Sequence, residues 1–132
     1  MSHARIKSAF EGALNAYAKA KGLLLALPGR NFTRPDGIYL ACHTIPSQTD
    51  SQTLAGDDRI YTGIFQINVV FQGGKGTGAG DDIALELVDL FPLNATFGAV
   101  GVQVMTPVDI AAPIVSDGLI SIPVLFNYRL DT

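Results

Sequence analysis

Tryptophan is absent from these 132 residues, cysteine occurs once and histidine twice. A lone thiol, Cys42, excludes an internal disulfide and makes a reducing interior its natural home. With His3 and His43 far apart in sequence, it also gives no zinc-ligand spacing. Charge is scarce too: 16% of residues are Asp, Glu, Lys or Arg, against 48% hydrophobic. For one domain spanning 1–132, that balance points to apolar surface used against a partner as well as for a core. Yet no apolar run, "GLLLALPG" among the longest, approaches the eighteen or so residues that cross a bilayer, so no membrane segment is expected. Glu11 and Asn15 interrupt the apolar positions after Arg5 and Lys7, which speaks against a secretory signal.

Catalytic patterns are equally missing. Cys42 and His43 are consecutive in a strand-like stretch, so their side chains point to opposite faces and cannot share a proton. Cys42 shares parity with Ile38 and Leu40, which makes it a buried, inert thiol. No G-x-S-x-G occurs, and the acidic pairs Asp57/Asp58 and Asp81/Asp82 sit at loops without an EF-hand pattern. The stretch "QGGKGTGAGDD" (72–82) stands where a phosphate-binding loop would stand, between a strand and a helix. A P-loop needs Ser or Thr after its lysine, but Gly76 follows Lys75, and Asp81 and Asp82 at the helix mouth would repel a phosphate. No catalytic residue, cofactor or metal site is therefore expected, which leaves binding and assembly.

The periodicities that are present define an α+β chain. From Ser2 to Leu24, Ile6, Phe10, Ala13, Leu14, Tyr17, Ala20 and Leu24 recur every three or four residues, an amphipathic helix with one buried stripe. "IYLACHTIP" and "RIYTGIFQINVVFQ" read as strands, the second with Phe65, Ile67, Val69 and Phe71 on its core face and Gln66 and Asn68 opposite. A short helix from Asp82 to Phe91 follows, then strands at "AVGVQVM" and "LISIPVLFNYRL", with Pro123 placing the last at an edge or bulge. The expected order is α-β-β-α-β-β: an antiparallel sheet of about four strands, two helices packed on one face. Its second face carries Gln66, Asn68 and Asn127 among apolar residues, the mixture that a subunit interface or a lined channel uses and that a plain solvated face also tolerates. The polar stretch after Pro46, with Ser47, Gln48 and Asp50, and the glycines Gly73, Gly74, Gly76, Gly78 and Gly80 read as flexible loops able to order on assembly.

Charge is divided along the chain. Residues 1–34 hold Arg5, Lys7, Lys19, Lys21, Arg30 and Arg34 against Glu11, a net of +5, and the other 98 residues sum to −8. Nucleic-acid binding would instead require a basic excess overall. The split suits copies of the chain meeting head to tail, with Arg5, Lys7, Lys19 and Lys21 of the first helix at the interface and Lys75 in the glycine-rich loop beside it. A solvated basic helix face would give the same pattern.

The segments "RPDGIYLACHTIPSQTDSQTLAGDDRIYTGIFQINVV", "LVDLFP" and "ISIPVLFNYR", in that order over nearly the whole chain, resemble the tail-terminator-like (tail completion) proteins of long-tailed bacteriophages and prophages. "YTGIFQINVV" (61–70) carries most of the likeness, with "GIYL" (37–40) and "IPV" (122–124) supporting it. The resemblance implies a structural virion protein of the tail or neck, assembled in the host cytoplasm. It implies a ring, commonly of six copies, that caps the tail tube, stops its polymerisation and meets the head–tail connector. The implied partners are the chain itself, the tail tube protein and the connector protein, with DNA passing an acidic bore without specific binding. Another neck or head-completion protein of the same particle, or a small intracellular enzyme with an unrecognised site, are the other readings.

Overall fold

The computed structural model describes residues 3–27, 33, 37–47, 60–74 and 78–131. The first helix, α1 (His3–Lys21), buries Ile6, Phe10, Leu14 and Ala18, a strict four-residue repeat that forms one narrow stripe. It closes at Gly22, where Leu23 N donates back to Ala18 O at 2.8 Å and Gly22 N to Lys19 O at 3.3 Å. Lys19 and Lys21 lie in the last turn, where cations complement the helix dipole. There follow β1 (Leu24–Ala26), β2 (Tyr39–Pro46), β3 (Ile60–Gln72), α2 (Gly78–Leu90), β4 (Thr96–Phe97), β5 (Val102–Val104), β6 (Asp109–Ile110), β7 (Ile114–Ser116) and β8 (Leu119–Asp131).

The expectation of about four antiparallel strands in the order α-β-β-α-β-β is overturned: the sheet has eight strands and is mixed. Its path runs β1-β2-β3-β8-β5-β4, with β6 and β7 also paired to β8. β1 lies parallel to β2, with Leu24 beside Tyr39. The twelve residues between these strands are enough for the crossover that a parallel pair requires. β3 and β8 form the spine, antiparallel and in register over thirteen residues from Ile60↔Asp131 to Gln72↔Leu119. β5, β6 and β7 are pieces of one irregular strand along the other side of β8. The register slips by two residues between Val104↔Tyr128 and Ile110↔Val124, and by one more before Ile114↔Ser121. Pro107 and Pro113 fall in these two slips, where a residue without an N–H is tolerated.

Of the two places expected for Pro123, the bulge is the one observed. The residue is not at an edge but buried within β8, opposite Asn68 of β3 on one side and the one-residue bulge between β6 and β7 on the other. Its carbonyl accepts from Ala111 N at 2.9 Å, so its donor-less nitrogen faces the gap between β6 and β7, where no ladder bond is lost.

Both helices cover one face of the sheet. Phe10 is the hub, its ring 5.1 Å from Phe65 and Phe126, 5.6 Å from Phe97, 5.8 Å from Tyr128 and 6.0 Å from Phe91. Phe65, Ile67 and Val69 of β3 and Ile122, Val124 and Phe126 of β8 fill the same layer. α2 starts at Gly78, earlier than its periodicity suggests, so Gly78 and Gly80 are helical rather than part of a loop. Gly80 has a packing reason: it is buried, and a Cβ there would overlap the Phe71 ring. Asp81 sits in the first turn, where a carboxylate favours the helix dipole.

Candidate assembly surfaces

The face of the sheet opposite the helices has no helix upon it among the described residues. β2 contributes Ala41, His43 and Ile45, β3 contributes Thr62, Ile64, Gln66 and Asn68, and β8 contributes Leu125, Asn127 and Arg129, since residues of one parity share a face. Gln66 Nε2 donates to Asn68 Oδ1 at 3.0 Å along β3, which holds two amides flat on this surface. Asn127 is exposed, and its backbone N–H donates to Thr106 Oγ1 at 3.0 Å. Ser47 lies at the end of β2, accepting from Thr62 Oγ1 at 3.4 Å and donating through its N–H to Thr62 O. Ser47 and Asn127 border one open depression of about 430 Å³, floored by Thr62, Ile64 and Met105. Among the described residues its one ionic side chain is Arg129, which pairs with Asp131 at 2.7 Å. The surface is thus amide-rich, part apolar and nearly free of net charge.

The basic residues of α1 divide into two sets. Lys21 pairs with Glu86 of α2 at 2.9 Å, and Tyr17 Oη donates to the same carboxylate at 3.3 Å. Lys21 therefore ties the two helices together within one chain. Lys7 stands 4.0 Å from Glu11 one turn on. Arg5 and Lys19 are exposed and enter neither pair. Gly73 and Gly74 make the turn after β3, Gly73 N donating to Gly118 O at 2.9 Å. Gln48, Asp50, Lys75 and Gly76 lie outside the described residues.

No arrangement among the described residues resembles an active site. Among the described residues no group of His, Cys, Asp and Glu could hold a metal, and no helix is long and apolar enough to cross a membrane. Cys42 is buried against the helices while His43 lies half-buried on the opposite face. Burial, reinforced by Glu11, pushes the Cys42 thiol up to about 12, so it carries no thiolate at neutral pH. Tyr17 and Tyr128 are also raised to about 12 by burial, with Glu86 adding to the effect on Tyr17. An unfolded chain ionises these groups at 9 to 10, so unfolding releases protons between about pH 9 and 12. Stability should hold below pH 9 and fall as pH rises through that window. Urea midpoints measured from pH 7 to 11 test this: a flat profile contradicts it, and Tyr128→Phe should lessen the slope.

One surface escaped the sequence reading. Residues 109–118, "DIAAPIVSDG", are exposed throughout, with Ile110 41%, Ile114 57% and Val115 72% accessible. Asp117 and Gly118, with φ of 52° and 77°, form the two-residue turn into β8, a conformation favoured by Asp-Gly. That dipeptide was the available signal for the hairpin. Apolar side chains on an exposed hairpin are unusual for a free monomer and suit a protein made to assemble.

A sequence profile described as phage tail terminator protein matches residues 5–128. The chain belongs to the phage tail terminator family. One solved structure, whose name carries no functional description, is 37% identical to this terminator-family chain, with a TM-score of 0.83 over 98% of it and 96% of the other. A chain from the virion of a native gene transfer agent particle is 14% identical, with a TM-score of 0.71 over 98% of this chain and 97% of that one. At that identity the fold is what is shared. No curated protein sequence matches. As a member of the terminator family, the chain is a structural component of the virion tail and not an enzyme.

Proposed function

We propose that this chain forms a ring, of six copies, that caps the tail tube, ends its polymerisation and presents a second surface to the head–tail connector. The observation that carries the reading is the family match over residues 5–128. The geometry is consistent with it: an open sheet with an uncovered, weakly charged face, exposed apolar side chains and no catalytic constellation among the described residues. A ring follows when heterologous contacts repeat with a rotation that closes. The acidic sum of residues 35–132 suits a bore through which DNA slides, because like charge denies it phosphate contacts.

Electron micrographs of particles lacking this protein test the reading. Tails of abnormal and variable length are expected, because nothing ends tube growth. Tails of normal length without heads would sink termination and move the chain to the neck.

A further inference from the structure

We propose that the exposed arm formed by residues 109–116 of one copy docks on the outer edge of β1 in the next copy, making the repeated head-to-tail contact of the ring. The inference rests on the ring reading above and specifies which surfaces meet. An open sheet has two ends, and here they differ. Beyond β8 the sheet ends on β4, reached through β5, and on β6 and β7, which bond only to β8; among the described residues nothing pairs with the outer side of β6 and β7. At the other end β1 bonds only to β2, with its outer side likewise unpaired among the described residues. Both ends expose apolar side chains: Ile114 and Val115 on the arm, and Leu24, 52% accessible, on β1.

Charge separates the two ends. Asp109 and Asp117 are the only charged residues from 101 to 120. β1 follows directly on the last turn of α1, where Lys19 is exposed while Lys21 pairs with Glu86. An acidic apolar end and a basic apolar end complement each other, whereas two arms facing each other would set Asp109 and Asp117 against their own copies. That asymmetry selects a heterologous contact over a two-fold one. The bulges and prolines along the arm keep it from pairing as a long flat strand, so the contact is a short docking rather than open-ended sheet growth.

The test uses two variants at exposed positions, Val115→Glu and Leu24→Glu, each checked by thermal melting for an unchanged fold. By analytical ultracentrifugation the wild type should form a closed ring, and each variant alone should associate more weakly by about a hundredfold or more, the effect of burying an unpaired charge. Mixed together, the variants should give a one-to-one heterodimer, because each retains the surface the other lacks. A Leu24→Glu protein that assembles like the wild type overturns the proposal, as does a mixture without heterodimer. Independently of any mutation, hydrogen exchange at 24–26 and 109–116 should slow together as wild-type concentration rises, and protection at only one segment counts against it. A wild-type ring with unaffected variants removes this contact alone. A wild type that remains monomeric overturns the contact and the ring together, while the tail-length experiment judges termination separately.

Discussion

Phe10→Ala should remove about 4 to 5 kcal/mol of folding stability, at the upper end of what truncating a buried phenylalanine costs. The ring of Phe10 has no exposed surface, and five other aromatic rings lie within 6.0 Å of it. Its neighbours come from β3, β4, β8 and the end of α2, so no one element can move in to fill the space. The T-shaped contact with Phe126 and the tilted contact with Phe65 add about 0.5 to 1.5 kcal/mol each beyond area burial. A domain of this size has roughly 5 to 15 kcal/mol in total, so the variant sits near the limit of folding and melts roughly 15 °C lower. Urea denaturation at fixed protein concentration measures it, the concentration being held because assembly stabilises the native state. A loss below about 2 kcal/mol would mean that the aromatic layer collapses around the gap. Phe10→Leu should lie between the two proteins.

The long elements of this fold were legible because a long element repeats its signal. β3 alternates from Thr62 to Val69, and Phe65, Ile67 and Val69 are buried as their parity requires, while Gln66 and Asn68 are only half-buried. The four-residue repeat of Ile6, Phe10, Leu14 and Ala18 marks α1 in the same way. Strands of two or three residues have no period to read. β1, β4, β6 and β7 are held by backbone bonds to longer neighbours, which is why eight strands stand where about four were expected. Gly80 misleads for a different reason. Glycine after glycine reads as freedom, but here the missing side chain lets α2 press on Phe71. The pairing of Lys21 with Glu86 depends on how two helices pack, and no local pattern encodes it.

The candidate surfaces were less legible than the fold. Gln66, Asn68 and Asn127 could be placed together on one face because strand parity alone does that. Ile114 and Val115 look in the sequence like ordinary core residues of a strand. Only their accessibility, and the outer edge beside them that no described residue pairs with, distinguishes a surface made for another chain from one made for the core. The basic residues show the converse: Lys7 and Lys21 look available in the sequence but have partners within the chain, at 4.0 Å and 2.9 Å.

Gly63→Ala should be the most damaging of the small substitutions, at about 3 kcal/mol, because two different obstacles meet at one methyl group. Gly63 lies on the core face of β3 opposite Tyr128 of β8, whose ring passes over it. A Cβ would collide with the Tyr128 hydroxyl and also stand 2.6 Å from the Ile45 carbonyl oxygen of β2. The hydroxyl belongs to a side chain that can tilt, though Tyr128 is buried and fixed by Phe10 beside it. The carbonyl belongs to the backbone, so relief there means parting β2 from β3 at the Pro46↔Gly63 position. A double-mutant cycle with Tyr128→Leu separates the two: the shorter side chain should recover part of the loss, and what remains is the backbone share. The consequence reaches the candidate surface, since Ile45 and Ser47 lie at that end of β2 and Ser47 borders the open depression beside Asn127. Faster hydrogen exchange at residues 44–47 than elsewhere in β2 is the expected signature, and a Gly63→Ala protein as stable as the wild type would show that β2 yields without cost.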